Sequence, residues 1–227
     1  MYCNLLSVKT INININFYDT MKNLKENTLI SILTNLYYSD AVASKRPADK
    51  YIELDLGCGK GTYSLALAQK YPERFVFSAD LMIGRLRKLD SRILSLGLSN
   101  MALFKVEARH FVSCFIEDCS LDRIHILCPD PWPKHKHKGN RLLCSEFIGQ
   151  LYRVLKHDGV FHFSTDDTNY FETVTGLVQH TGIFLRDDDA ISDVAGIKTD
   201  FEKRWNSMGK DVNHIAWRKL EMKHIPR

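Results

Sequence analysis

The sequence has 227 residues, of which 44% are hydrophobic, and its formal net charge is +4. This length and apolar content suffice for one α/β domain with a substantial core and exclude a disordered chain. A charge of +4 does not by itself indicate nucleic-acid binding, so that evidence has to come from local clusters. The six cysteines form no C-x-x-C pair, no run reaches membrane length, and the start lacks a signal-peptide pattern. We therefore expect a reduced, cytoplasmic protein with no metal site and no membrane association.

The first 50 residues carry no motif and are expected to be an N-terminal extension and linker. Apolar residues alternate with asparagine between Ile11 and Phe17, which is the period of a strand. A short helix is predicted for residues 28–38. We expect residues 51–227 to form the functional domain.

From residue 51 onward, predicted strands alternate with predicted helices. Strands are predicted at 51–56, 75–79, 101–106, 123–128, 160–164, 183–185 and 213–220. Helices are predicted at 62–70, 82–96, 111–116, 146–155 and 170–180. This alternation indicates a single α/β domain around a doubly wound, mainly parallel seven-stranded sheet.

A glycine-rich turn follows the first of these strands. Gly57, Gly59 and Gly61 form the pattern G-x-G-x-G, and their lack of side chains lets a ligand approach the backbone. Thr62 stands where the dinucleotide fingerprint G-x-G-x-x-G has its third glycine. The motif for a nicotinamide dinucleotide is therefore incomplete.

Two carboxylates flank the glycine turn. Asp80 ends the second strand, where an acid can hydrogen-bond ribose hydroxyls. Asp55 precedes the turn, and its charge would repel a pyrophosphate but attract an ammonium or a sulfonium. The electrostatics therefore favour S-adenosylmethionine over a nicotinamide dinucleotide as the cofactor.

A proline-rich loop follows the central strand. Asp130 and Trp132 lie between prolines 129, 131 and 133, each of which fixes its own φ angle. Basic residues come next, without an intervening acid: Lys134, Lys136, Lys138 and Arg141. A stiff acidic and aromatic loop followed by a cationic run favours a site that meets a polyanion. A surface turn followed by a solvated charge run remains the alternative at this point.

Four motifs together resemble the bacterial single-chain tRNA (guanine-N7-)-methyltransferases. They are Asp55-Leu-Gly-Cys-Gly-Lys-Gly61, Cys128-Pro-Asp-Pro-Trp-Pro-Lys134, Phe163-Ser-Thr-Asp166 and Thr199-Asp-Phe-Glu202. The glycine turn is shared with most methyltransferases, whereas the Pro-Asp-Pro-Trp loop with its basic sequel is specific. The resemblance extends from about residue 51 to about residue 220.

The resemblance implies a Rossmann-like class I methyltransferase that transfers a methyl group from S-adenosylmethionine to N7 of a guanine in the variable loop of tRNA. It implies a catalytic role for Asp130. The cofactor-binding positions that it implies are Asp55, Gly57, Gly59, Gly61, Asp80, Glu107 and Asp130. The substrate-binding positions that it implies are Lys134, Lys136, Lys138, Arg141, Asp166, Thr199, Asp200, Phe201 and Glu202. We expect a monomer or a homodimer.

The chain departs from the family pattern at a few of these positions. Asp55 and Asp80 stand where the family often has Glu, and Glu107 stands where it usually has Asp or Asn. Each change keeps a polar acceptor but alters its reach by one methylene. Gly139 and Asn140 replace further basic residues, so the RNA-contacting run is thinner here.

The expected reaction needs no general base, because guanine N7 already has a free lone pair. Catalysis can rest on positioning and on the electrostatic field around the methyl group. The methylated base gains positive charge, which a nearby carboxylate stabilises. Asp130 and Asp166 are the candidates, because each follows the carboxyl end of a central strand.

Three alternatives remain. Methyltransferases of exocyclic amines or of glutamine carry [Asp/Asn]-Pro-Pro-[aromatic], whereas the chain has one proline between Asp130 and Trp132. A non-catalytic nucleotide- or RNA-binding module of the same fold is disfavoured by the four acids at 55, 80, 130 and 166. A nicotinamide oxidoreductase is disfavoured by the incomplete glycine motif and by Asp55.

Overall fold

The structure is a computed structural model that describes residues 28–33, 42–132 and 139–221. The described residues form one eight-stranded sheet. Its strands are β1 (Ile30–Ile32), β2 (Ile52–Leu56), β3 (Phe75–Asp80), β4 (Met101–Lys105), β5 (Leu121–Leu127), β6 (Leu155–Thr165), β7 (Phe184–Arg186) and β8 (Asn213–Lys219). The spatial order is β1-β4-β3-β2-β5-β6-β8-β7. Strands β1 to β6 pair in parallel, and β8 runs antiparallel to both β6 and β7.

Helices pack on both faces of the sheet. They are α1 (Thr62–Lys70), α2 (Ile83–Leu96), α3 (Ala108–Cys114), α4 (Ser145–Val154), α5 (Thr168–Thr181) and α6 (Asp200–Ser207), with a 3-10 helix at Asp188–Val194. One apolar core contains residues of α3, α4 and α5, and a second contains residues of α1, α2 and the 3-10 helix. The strands contribute to both, as in β3, where Phe77 faces the first core and Val76 the second. The domain is therefore a three-layer α/β sandwich.

The last glycine of the glycine turn sets how closely α1 and α2 pack. Gly61 caps α1 in the left-handed region, with φ 72°. A Cβ atom at this position would lie 2.3 Å from Cδ2 of Leu89 on α2. A side chain there would require the buried Leu89 side chain to shift and would be strained at this φ angle, so Gly61 has a packing role in the fold.

The expected doubly wound sheet is confirmed, and the seven predicted strands are present with small changes at their ends. The helix predicted for residues 28–38 is wrong in its described part, because Ile30–Ile32 forms the additional edge strand β1. The backbone N–H of Leu29 and the hydroxyl of Thr28 both donate to the Asp90 carboxylate on α2, each at 2.9 Å. This long-range anchor overrides the local helical preference. Part of the expected extension is therefore packed in the sheet, whereas the pattern at 11–17 lies outside the described residues.

No helix in the described part of the chain combines the length and the apolarity needed to cross a membrane.

A buried ion network ties β2 to β5 and to the 3-10 helix. Glu53 is fully buried, and its carboxylate lies 2.8 Å from the Arg74 guanidinium and 3.4 Å from that of Arg123. Both arginines also pair with Asp193, at 2.7 and 3.1 Å. Burial alone would raise the pKa of Glu53, but the hydrogen bond from His125 and the positive charges nearby lower it to about 2.

Replacing Glu53 should destabilise the fold in a pH-dependent way. Because the folded-state pKa is lowered from 4.5 to about 2, the contribution of Glu53 is complete above pH 4.5 and disappears as the pH falls towards 2. We expect Glu53→Gln to reduce the free energy of unfolding by about 3–5 kcal/mol near neutral pH, because it leaves the two arginines with Asp193 as their shared carboxylate and removes the buried one. Urea unfolding at several pH values measures this difference. Glu73→Gln, which removes an exposed partner of Arg74, is the control and should have little effect. A Glu53→Gln deficit that did not shrink with falling pH would contradict the assignment.

Candidate active site

A cavity of about 600 Å³ opens at the carboxyl ends of the four central strands β2 to β5. Its walls include Leu56, Gly57, Ala79, Asp80, Leu81, Met82, Val106, Glu107, Arg109, Pro129, Asp130 and Trp132. From β2 the chain order runs towards β3 on one side and towards β5 on the other. This is the switch point at which open α/β sheets bind ligands, and the volume is that of a site for a small cofactor.

The three predicted glycines have different positions in this site. Gly57 lines the cavity with φ 83°, and nothing lies within 4 Å of the place where its Cβ atom would be. A side chain at Gly57 would therefore occupy space that a ligand needs. Gly59 donates its backbone N–H to the Asp80 carboxylate at 2.9 Å, and Gly61 packs against α2. The structure thus brings one of the three glycines to the cavity wall.

Asp80 lies in the cavity wall and also holds the glycine turn. It is 6% exposed, and one oxygen accepts the N–H of Gly59 while the other accepts the N–H of Met82 at 2.7 Å. The Arg85 guanidinium lies 3.5 Å from the same carboxylate. Each carboxylate oxygen can accept a second donor, so Asp80 can bind hydroxyl groups without giving up these bonds.

Asp55 lies beneath the glycine turn and is 3% exposed. The hydroxyl of Ser64 on α1 donates a short hydrogen bond to it. Burial raises the pKa of Asp55 to about 7, against the effect of this hydrogen bond and with a contribution from the charge of Asp80. A single hydroxyl is thus too little to keep this carboxyl fully ionised at neutral pH.

Glu107 lies in the opposite part of the wall and caps α3. Its two carboxylate oxygens accept the backbone N–H groups of Arg109 at 3.1 Å and His110 at 2.8 Å. The N-cap position fixes the side chain at the cavity. Exposed apolar side chains complete the wall, with Leu81 60% and Met82 55% exposed. Two fixed acids beside an apolar surface fit the nucleoside part of the cofactor that the sequence predicts.

The loop after β5 adopts an unusual backbone conformation. Cys128 and Trp132 both have left-handed φ angles, 49° and 43°, and they flank the segment that presents Asp130 to the cavity. Left-handed backbone at residues other than glycine costs free energy and persists only when neighbouring contacts impose it. One such contact is the N–H of Cys128, which donates to the Ser164 carbonyl at 2.8 Å.

Arg141 supplies a second contact to this loop. Its Nε–H donates to the Pro131 carbonyl at 2.8 Å, and its guanidinium lies 4.6 Å from the ring centroid of Tyr170 on α5. The Arg141 carbonyl in turn accepts a short hydrogen bond from the Arg109 guanidinium. Arg141 is only 6% exposed. The Arg141 side chain thus makes a buried contact that holds the loop, which a count of positive charges along the sequence does not reveal.

A second cluster of predicted residues lies around the start of the loop. Burial raises the pKa of the Cys128 thiol to about 11, and the negative charges of Asp166 and Glu202 also raise it. Glu202 is 6% exposed, whereas Asp200 and Phe201 are exposed. Thr199 caps α6 by accepting the Glu202 backbone N–H at 3.0 Å. The charges of Asp166 and Glu202 thus both act on Cys128 at the start of the loop, while Asp80 and Glu107 line the cavity.

The remaining predicted substrate contacts, Lys134, Lys136 and Lys138, lie outside the described residues. Within the described ranges, no group of three or more His, Cys, Asp or Glu side chains is arranged to hold a metal ion.

Comparisons with known proteins agree with this arrangement. A family model described as a putative methyltransferase matches residues 49–215. The tRNA (guanine-N(7)-)-methyltransferase of Syntrophotalea carbinolica is 31% identical over 169 residues, which are 73% of each chain. The enzyme of that name from Streptococcus pyogenes serotype M6 is 28% identical over 171 residues, 74% of this chain and 81% of the relative. The one from Thermotoga maritima is 28% identical over 176 residues, 78% of this chain but 56% of the longer relative.

Solved structures show the same fold at lower identity. The 16S rRNA methyltransferase KamB superposes with a TM-score of 0.58 at 16% identity, covering 80% of this chain and 92% of that one. An antibiotic-related methyltransferase gives a TM-score of 0.57 at 18% identity, covering 86% and 98%. The fold is thus that of the class I methyltransferases. Together with the family model and the sequence relatives, these findings show that the chain belongs to the tRNA (guanine-N7-)-methyltransferase family.

Proposed function

We propose that the protein transfers the methyl group of S-adenosylmethionine to N7 of a guanine in tRNA. The observation that carries this proposal is the junction of a nucleoside-sized cavity, walled by Asp80 and Glu107, with the loop that presents Asp130. The names of the sequence relatives support the substrate and the position of methylation. The resemblance to these enzymes points to the variable loop of tRNA, to action in the cytoplasm, and to a monomer or homodimer.

Mass spectrometry of nucleosides tests this function. We would incubate the protein with unmodified tRNA and S-adenosylmethionine, digest the RNA and look for 7-methylguanosine. Its appearance would support the proposal. A methylated adenosine or cytidine, or no methylation at all, would contradict it.

In this proposal, different cavity residues contact different parts of S-adenosylmethionine. Asp80 would accept hydrogen bonds from the ribose hydroxyls, the exposed Leu81 and Met82 would contact the adenine, and Gly57 would let the amino-acid portion approach the backbone. Glu107 would accept hydrogen bonds from the adenine amino group. When bound, S-adenosylmethionine supplies an electrophilic methyl group on its sulfonium.

The loop and its neighbours position the guanine. Asp130 lies at the junction of the cavity and the loop, where its charge stabilises the positive charge that develops on the ring. Asp166, Thr199 and Glu202 form the substrate side of the site, together with the exposed Asp200 and Phe201. No residue has to remove a proton, because the N7 lone pair is already available. Lys134, Lys136 and Lys138 follow the loop and are proposed to contact the phosphates.

Removing the charge of Asp130 should slow methylation without unfolding the protein. Asp130 is exposed in the cavity wall, and asparagine keeps its shape. We expect Asp130→Asn to lower the single-turnover rate by about 10²–10³, with little change in tRNA affinity. Asp189→Asn, at an exposed position on the 3-10 helix, is the matched control for loss of one surface charge. A folded Asp130→Asn protein with the wild-type rate would exclude a catalytic role for Asp130.

Binding of the cationic cofactor should release a proton from Asp55. Burial raises the pKa of Asp55 to about 7, and a nearby positive charge would favour the ionised carboxylate and lower this pKa. Cofactor affinity should therefore rise with pH up to about 7 and then level off. Calorimetry in buffers of different ionisation enthalpy measures the proton release. Asp55→Asn should abolish both effects. An unchanged wild-type affinity from pH 5 to 7 would show that Asp55 does not sense the cofactor charge.

The basic run and Arg141 should respond differently to substitution. Changing Lys136 and Lys138 to Ala removes two proposed phosphate contacts, so the slope of log affinity for tRNA against log salt should fall by about 0.7–0.9 per residue.

Arg141→Met should leave this slope unaltered but lower the methylation rate about 10-fold or more, because the loop loses its anchor at Pro131. Filter binding at several salt concentrations and single-turnover assays measure the two quantities. A reduced slope in Arg141→Met would instead make Arg141 a phosphate contact.

A further inference from the structure

A row of buried polar side chains crosses four adjacent strands on one face of the sheet. Glu53 on β2 contacts Nε2 of His125 on β5 at 2.8 Å. Nδ1 of His125 contacts Nδ1 of His162 on β6 at 2.9 Å, and Nε2 of His162 contacts Nδ1 of His214 on β8 at 3.0 Å. The row ends where Nε2 of His214 meets Oε1 of Glu202 at 3.4 Å. Glu53 and His125 are fully buried and His162 is 2% exposed, so water does not compete for these bonds.

The first hydrogen bond sets the direction of the row. An ionised carboxylate only accepts hydrogen bonds, and the pKa of Glu53 is about 2, so Nε2 of His125 carries a proton. Burial lowers the pKa of His125 despite the adjacent Glu53, so the ring is neutral and holds one proton. Nδ1 of His125 is therefore an acceptor. The hydroxyl of Tyr63 also lies 3.2 Å from this nitrogen.

The next two bonds follow from the first. Two lone pairs at 2.9 Å would repel each other, so Nδ1 of His162 must carry a proton and donate to His125. Burial lowers the pKa of His162 well below its usual value, and the positive charge of Arg123 contributes, so this ring also holds a single proton. Its Nε2 is then an acceptor, and Nδ1 of His214 has to be the donor.

This order leaves His214 with a donor at each nitrogen. Burial alone would raise the pKa of Glu202, but the hydrogen bond and charge of His214, together with Lys198, lower it. The Glu202 carboxylate is thus ionised and accepts the Nε2 proton of His214. His214 is 30% exposed, which lets its charged ring retain some hydration. Lys198, 3.6 Å from the same oxygen, is the second cation that faces Glu202.

We infer that His214 is a positioning residue: the chain Glu53–His125–His162 fixes its ring, and it holds Glu202 in place on the substrate side of the site. The functional part of this inference rests on the proposed function. Glu202 sits in the first turn of α6, and its partner His214 pairs in the sheet with Ser164, whose carbonyl accepts the N–H of Cys128 at the start of the Asp130 loop. A carboxylate fixed from one end by a rigid donor keeps its position when the substrate binds, which lowers the cost of forming the complex.

Nuclear magnetic resonance of the histidine rings tests the chain directly. Protein labelled with ¹⁵N in histidine gives long-range ¹H–¹⁵N correlations that distinguish the two neutral tautomers and the imidazolium form. At about pH 6 we expect His125 protonated at Nε2, His162 protonated at Nδ1 and His214 protonated at both nitrogens. Single His→Gln variants assign the signals. His162 protonated at Nε2, or His214 neutral at this pH, would overturn the inferred direction.

A double-mutant cycle tests the positioning role. His214→Gln and Glu202→Gln should each lower kcat/KM for tRNA by about 10- to 100-fold, the range expected for loss of a hydrogen bond to a charged group. The double variant should be no worse than the more impaired single variant, because both changes remove the same interaction. Cofactor affinity should remain at the wild-type value. His180→Gln, at an exposed position on α5, is the matched control and should behave as wild type.

The outcomes separate this inference from the proposed function. Losses that add in the double variant, or a wild-type kcat/KM in folded His214→Gln protein, would show that His214 does not act through Glu202. Failure of the wild-type protein to methylate tRNA would overturn the proposed function and with it the catalytic consequence of the chain. The resonance experiment would still decide whether the chain itself exists, because it needs no substrate.

Discussion

The cost of burying charge is the constraint on which the rest of this structure depends. Glu53, Asp55, Asp80 and Glu202 are all at most 6% exposed, and an ionised carboxylate removed from water requires donors or cations in return. Glu53 receives them from two arginines and a histidine, and Asp80 from two backbone N–H groups of the glycine turn and the residues after β3. Each of these acids therefore joins elements that are distant in sequence, and the fold has to be correct before the acids are satisfied.

Asp55 is the exception among these buried acids. Burial raises its pKa to about 7, and the hydrogen bonds from Ser64 do not offset this effect. Asp55 directly precedes Leu56 and Gly57, which line the cavity. At Glu53, by contrast, the hydrogen bond from His125 and the nearby cations outweigh burial and lower the pKa.

The sequence predicted those parts of the fold that depend on local pattern. Alternating strands and helices gave the sheet, and motif positions placed Asp80, Glu107 and Asp130 at one edge of it, where the structure has them in one cavity. It missed the parts that depend on contacts between distant residues. Ile30–Ile32 is a strand because of pairing with β4 and the anchor at Asp90, and neither is visible within the segment itself.

The direction in which side chains point was the second feature that the sequence did not predict. Arg141 belongs to a basic run, and charge alone predicts an exposed contact, whereas the aromatic ring of Tyr170 and the Pro131 carbonyl draw its guanidinium inward. His125 lies on β5 and His162 on β6, and the register of these strands places the two residues opposite each other. Only this pairing allows their rings to form a chain of hydrogen bonds. A register is a property of the assembled sheet, so no motif could have revealed it.

Methylation at N7 requires residues that hold the guanine in position rather than residues that accept a proton. The nucleophile is a lone pair that already exists, so the barrier depends on the alignment of the guanine with the methyl group and on the field around them. The described residues meet this need with side chains that act from within the protein. Arg141 fixes the loop of Asp130 through a backbone carbonyl, and His214 contacts Glu202 through its carboxylate. The acids that would face the substrate can then keep their positions and charges, because the groups that hold them are themselves anchored in the core.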